Sequence, residues 1–193
     1  MTSIQLKIPI LLDLIFVWPV LLFRLLRYGY PYRKIPLGEG RWTIVDPQDY
    51  YRLNNYHWTI DGNGENIYAT RNIMTASGKR TIMRMHREIM NAPAGILVDH
   101  KNNNGLDNRR ANLRVATHAQ NMHNRKKFRS NTTSQFIGVH LNKRDNNWKV
   151  QIRHQGKTIF LGRFDNEIDA AKAYDDAARK YHGEFARLNF PEA

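Results

Sequence analysis

Hydrophobic and polar positions change period several times along this chain. Residues 8–23 (IPILLDLIFVWPVLLF) are apolar almost throughout, broken by Asp13 and Pro19 and followed by Arg24, Arg27, Arg33 and Lys34. A membrane-spanning helix needs roughly 20 such residues, so the run is short for a span. Only Lys7 precedes it and no small-residue cleavage site follows, which argues against a signal peptide. An interfacial anchor, a helix packed on the protein or a partner, and a full span all stay open.

From residue 35 to 83 the pattern becomes short, aromatic-rich strands separated by turn signals. It predicts strands at 42–45 and 58–60, a short helix from Asp46-Pro47 to Asn54, and a turn at 61–64. Hairpin arms follow at 66–72 and 80–83 around Ser77-Gly78. Trp42, Trp58 and Tyr68 at strand spacing read as core rather than as base-stacking groups. His86 sits in a helix-like MHREIM and reads as a packing residue.

Between His86 and Asn124 the order is strand, polar loop, strand, helix. Residues 96–98 end in Asp99-His100, residues 101–108 are turn-rich, and 113–116 form a second strand. Thr117 and Gln120 have capping-box spacing, so a helix starts at Thr117 with Asn121 in its first turn. His118 and His123 flank Asn121 on that helix and read as surface residues. Residues 127–134 (KFRSNTTS) lack apolar period and read as a linker. Three further strands are predicted at 136–141, 148–153 and 158–164. A helix over 167–182 follows, capped by Asn166 or Asp165 and closed by Gly183. Ile168, Ala171, Tyr174, Ala178 and Tyr181 give it an apolar stripe that can pack on the sheet. The fold class is α+β.

Composition narrows the partners. Across 193 residues, 30 Lys and Arg oppose 17 Asp and Glu, a formal charge of +13 that suits a polyanion. Nucleic acid fits, and so does an anionic membrane reached through residues 8–23. With 41% hydrophobic residues the chain can build two small cores. The absence of cysteine excludes disulfides and thiolate zinc sites.

Three residues carry chemistry. An imidazole titrates near neutrality and can take a proton from water, which His100 could do. A hard divalent cation prefers oxygen donors and usually accepts only one or two from protein. Asp99 offers a charged oxygen and Asn121 an amide oxygen, a set suited to Mg²⁺, with Mn²⁺ as the alternative, and to phosphodiester hydrolysis. Adjacent strand residues point to opposite faces, so Asp99 and His100 share a site only where the strand ends or bends. Arg109, Arg110, Arg114, Arg125 and Lys126 belong to a stretch without acids that should meet phosphates.

His100, Asn112 and Asn121, set in VDHKNNNGLDNRRANLRVATHAQN, resemble the His, Asn and Asn of the HNH endonucleases, especially the phage homing-type branch. The resemblance covers about residues 85–124. It implies a ββα-metal fold in which His100 is the general base, Asp99 and Asn121 hold the metal, and Asn112 braces the loop. No small-molecule cofactor is implied. The C-terminal stretch carries Phe136-Ile137-Gly138-Val139, Trp148 to Arg153 as WKVQIR, Leu161-Gly162-Arg163-Phe164, AAKAYD at 170–175 and Leu188-Asn189-Phe190. It resembles the plant Apetala/ethylene-response-factor DNA-binding domain, which lays a three-stranded sheet in the major groove. Lys143, Arg144, Lys149, Arg153 and Arg163 are then the candidate contacts to double-stranded DNA. His140, Thr158 and Phe160 replace that family's usual Arg, Arg and Trp, so its sequence preference does not carry over.

The organisation expected is an N-terminal segment 1–34, a nuclease domain 35–126, a linker 127–134 and a DNA-binding domain 135–191. The function implied is a cytoplasmic DNA endonuclease that nicks or cuts both strands, peripheral to or anchored at a membrane if the N-terminal segment is an anchor. The alternative is a DNA-binding regulator with an inactive nuclease module.

Overall fold

A computed structural model describes residues 10–64, 66–123 and 133–191. The chain forms two compact units, one from residues 1–92 with 104–113, the other from 93–103 with 114–193.

The first unit begins with helix α1 (Ile10–Tyr28). Among the described residues no helix is long and apolar enough to cross a membrane. Asp13, the one acid in that run, ties α1 to the unit. It accepts 2.6 and 3.2 Å hydrogen bonds from Arg33 and one of 2.7 Å from the Tyr51 hydroxyl. The Arg33 hydrogen bond, opposed by burial and aided by Tyr51, holds the Asp13 carboxyl below its ordinary value. Arg24 donates to the Tyr32 carbonyl. Phe16, Trp18, Phe23 and Leu26 remain exposed.

Strands β1 (Arg33–Gly38) and β2 (Arg41–Val45) form an antiparallel hairpin with Arg33 opposite Val45. The sequence pattern did not predict β1, because Pro36 and Gly38 interrupt it and one of its three inward residues is Arg33, neutralised by Asp13. Asp46 and Pro47 start helix α2 (Pro47–Asn54) as expected. Strands β3 (Thr59–Asn63), β4 (Asn66–Met74) and β5 (Arg80–Arg84) make an antiparallel meander, followed by α3 (Met85–Ile89). The expected turn at 61–64 is shorter than predicted, since β3 runs on to Asn63.

Trp58 is core, with its indole N–H donating to the Leu53 carbonyl at 2.8 Å. Trp42 is not: it is half exposed, with the Lys34 ammonium 5.1 Å from its ring.

In the second unit β6 (Leu97–His100) pairs with β7 (Leu113–Ala116), and α4 (His118–His123) follows. Strands β8 (Val139–Asn142), β9 (Asn147–His154) and β10 (Lys157–Phe164) form an antiparallel sheet with β9 in the centre. Helix α5 (Glu167–His182) covers one face. Alternation decides the faces: Val150 and Ile152 meet Ala171, Tyr174 and Ala178 in the core, while Lys149 and Arg153 point away. Burial drives the Tyr174 hydroxyl up to about 12, with Asp175 adding to the rise.

Asn166, not Asp165, caps α5, accepting from the Ile168 and Asp169 amides at 2.7 and 3.2 Å. Ile168 departs from the predicted stripe and is exposed; Ala170 and Ala177 take its place against the sheet. The expected strand at 136–141 starts only at Val139, after a turn in which Gly138 has φ +74°. Buried Asp175 fastens the chain end, accepting from the Asn189 and Phe190 amides at 2.8 Å each.

Candidate nuclease site and nucleic-acid interface

Asp99 and His100 are the last two residues of β6. The strand stops at His100, and a turn follows in which Asn103 adopts φ +58° and its amide donates to the His100 carbonyl at 2.9 Å. Both Asp99 and His100 are buried, at 8% and 4% exposure.

Thr117 and Gln120 form the predicted capping box. The Thr117 amide donates to Gln120 Oε1 at 2.8 Å, and the Gln120 amide to Thr117 Oγ1 at 3.2 Å. Asn121 lies in the first turn of α4, its amide bonded to the Thr117 carbonyl at 2.9 Å, and α4 lies against β6. Asp99, His100 and Asn121 therefore belong to adjoining elements of one unit. His118 is exposed, as expected of a surface residue.

Asn112 belongs to the other unit, at the end of the loop from Asn104. It is buried and donates to the Asp107 carbonyl at 2.8 Å, closing the loop on itself. That loop is locked to β2: the Asn108 amide donates to the Ile44 carbonyl at 2.8 Å, and its side chain to Thr43 Oγ1 at 2.7 Å. Gly105 lies so close to β4 that a Cβ there would stand 2.1 Å from the Ile67 carbonyl oxygen. Asn108, fully buried, escaped the sequence reading because a loop asparagine ordinarily marks a turn.

Three arginines expected from the sequence to contact DNA are paired with carboxylates. Arg109 donates to both Asp107 oxygens, at 2.7 and 2.6 Å, and stacks 3.4 Å from the Tyr30 ring centroid. The Asp107 hydrogen bond raises the Arg109 pKa. Arg110 donates to both Asp49 oxygens at 2.8 Å. Burial pushes the Asp49 carboxyl up, but the hydrogen bonds from Arg110 and Arg52 outweigh it and hold the group below its ordinary value. Arg114 is buried, with Nε and Nη2 donating to one Asp99 oxygen at 3.1 and 2.9 Å. All three are committed to carboxylates. Arg125 and Lys126 lie outside the described residues.

His86 is buried on α3 with its ring 5.5 Å from that of Tyr68. Among the described residues no three His, Asp or Glu side chains gather where they could share a cation. One carboxylate and one amide oxygen nevertheless fit a hard ion that keeps most of its ligands as water and phosphate.

A group of exposed cations lies on the outer face of the C-terminal sheet. His140, Lys149 and Arg163 stand in one cross-strand row, Gln151 and Phe160 in the next, Arg153 and Thr158 in a third. Lys149, Arg153 and Arg163 are exposed, and Lys149 and Arg163 each lie 5.9 Å from the half-exposed Phe160 ring. Lys143 and Arg144 project from the β8–β9 turn, where the Arg144 side chain is 94% exposed.

An HNH endonuclease family model matches residues 91–123. An uncharacterized HNH endonuclease of Acanthamoeba polyphaga mimivirus is 30% identical over 158 residues, covering 79% of this chain and 76% of that protein. Shorter matches reach plant proteins. APETALA2-like protein 2 of Oryza sativa subsp. indica is 43% identical over 58 residues, 30% of this chain and 13% of that protein. Dehydration-responsive element-binding protein 2D of Arabidopsis thaliana is 48% identical over 48 residues, 24% of this chain and 23% of that protein. By these similarities the chain belongs to the HNH endonuclease family and carries an Apetala-type domain fused to it.

Proposed function

We propose that the chain is a metal-dependent DNA endonuclease, with the nuclease domain at 35–126, a linker at 127–134 and a targeting domain at 135–191. The observation that carries this reading is the burial of Asp99 and His100 at the end of β6, against the helix that presents Asn121. In it, His100 takes a proton from water as the water oxygen forms its bond to phosphorus and the P–O3′ bond breaks. Asp99 and Asn121 hold a divalent ion, Mg²⁺ by the hardness of their oxygens, which when bound neutralises charge on the phosphate and the departing oxygen. Asn112, by closing the loop on the Asp107 carbonyl, keeps the connection after His100 in one shape.

Supercoiled plasmid incubated with the chain and Mg²⁺ is expected to relax, and excess chelator to stop the reaction. Tight binding with no relaxation in any divalent ion would instead favour the DNA-binding regulator.

The outer sheet face supplies affinity. Lys149 and Arg163 lie in register on strands without acids, and a β-sheet fits the major groove. Replacing Lys149, Arg153 and Arg163 together by alanine is expected to weaken duplex binding. It should also lower the slope of log affinity against log salt by roughly 2 to 3, one near-unit loss per phosphate contact. An unchanged slope in a fluorescence-anisotropy titration would move the DNA to another face.

A further inference from the structure

We propose, resting on the nuclease reading above, that the Apetala-type module is a structural part of the nuclease centre. Its C-terminal turn clamps Arg114, and Arg114 is a positioning residue for Asp99. The turn is the short 3₁₀ segment Gly183–Phe185 directly after α5. Arg114 leaves β7 and meets it with the face and the edge of its guanidinium. The Arg114 Cζ lies 3.9 Å from the Phe185 ring centroid, and Nη1 donates to the Glu184 carbonyl. The remaining edge, Nε and Nη2, grips a single oxygen of Asp99.

The consequence is mechanical. A carboxylate free to turn about its last torsion presents its oxygens in many directions; one with an oxygen held by two donors presents them in one. Arg114 makes three hydrogen bonds and a ring contact, two bonds to the acid and the rest to the turn, so the direction of Asp99 is referred to residues 184 and 185. Phe185 is itself buried at 6% exposure, which keeps water from competing for the guanidinium. The same turn also lies against α4, the helix of Asn121. Both oxygen donors of the site thus rest on one segment some 60 or more residues further along the chain, beyond the expected linker. An appended module that only brought DNA to the site would need no such joint.

The test uses the full chain, as Arg114→Lys, Phe185→Leu and the two together, with Mn²⁺ alone as the metal probe. Phe185→Leu keeps apolar bulk and removes the ring face. Arg114→Lys keeps the charge and removes the fork that reaches Asp99 and the Glu184 carbonyl at once. Free Mn²⁺ read by electron paramagnetic resonance is expected to show about tenfold weaker binding in each single variant, the size typical of losing a group that orients a metal ligand. Duplex affinity should stay within about twofold and the thermal midpoint within a few degrees. Raising Mn²⁺ should restore the nicking rate of Phe185→Leu. The double variant should bind Mn²⁺ no more weakly than Arg114→Lys, because Phe185 acts through Arg114. Wild-type Mn²⁺ affinity in Phe185→Leu, or additive losses in the double variant, overturns the joint and leaves the nuclease reading standing. A wild-type chain that neither binds Mn²⁺ nor nicks, and that His100→Ala does not change, overturns both.

Discussion

His100→Ala is expected to lower the plasmid-nicking rate by about 10²–10⁴-fold, the range a positioned general base supplies, while duplex affinity stays at the wild-type value. The separation follows from where the groups lie. His100 is buried at the end of β6, whereas the exposed cations proposed to meet DNA lie on the outer face of the β8–β10 sheet. Removing an imidazole changes none of those charges. His86→Ala provides the contrast. His86 is buried beside Tyr68, and its loss should appear in thermal stability, with the nicking rate of the folded fraction kept. Equal rate losses in the two variants would mean that packing, not proton transfer, is being measured, and the role given to His100 would fall. A pH–rate profile sharpens the comparison: the limb due to the base should vanish in His100→Ala and persist in His86→Ala.

What could be read from the sequence were features whose physics is local. The Thr117/Gln120 capping box is set by a three-residue spacing, and both of its hydrogen bonds are formed. The α5 boundaries and the turn after His100 were likewise decided by neighbours in sequence. What could not be read depended on partners far along the chain. Arg109, Arg110 and Arg114 look like a basic stretch in sequence, yet their charges answer Asp107, Asp49 and Asp99. For Arg110 the partner is 61 residues away. The same limit hid β1, whose inward Arg33 breaks the apolar alternation until Asp13, 20 residues earlier, is seen to neutralise it. Trp42 and Ile168 were misplaced for a different reason: period assigns a residue to a face, but an edge or a first helical turn can leave that face uncovered.

Gly138→Ala is expected to cost about 2–4 kcal/mol, the sum of a left-handed backbone strained by a side chain and an overpacked core. At Gly138 φ is +74°, and an added Cβ would stand 2.0 and 2.3 Å from Cδ2 and Cε2 of Tyr174 and 2.9 Å from the Gln151 carbonyl oxygen. None of these can retreat cheaply. Tyr174 is packed among Val139, Val150, Ala171 and Ala178, and the Gln151 amide is itself bonded to the Gly138 carbonyl at 3.0 Å. Gly156 separates the two contributions, since it has φ +77° but nothing within 4 Å of its would-be Cβ. Gly156→Ala should therefore show only the backbone part, roughly 1 kcal/mol, and the difference between the two variants in urea unfolding measures the collision with Tyr174. A small domain holds only about 0.05–0.15 kcal/mol per residue, so the Gly138 penalty removes a large share of the stability of the C-terminal sheet. Duplex affinity should fall with it, because the cross-strand rows that align Lys149 with Arg163 exist only while the sheet does. Equal costs at the two glycines would show that Tyr174 can yield, and that the packing of α5 on β8 and β9 is looser than the contact at Gly138 implies.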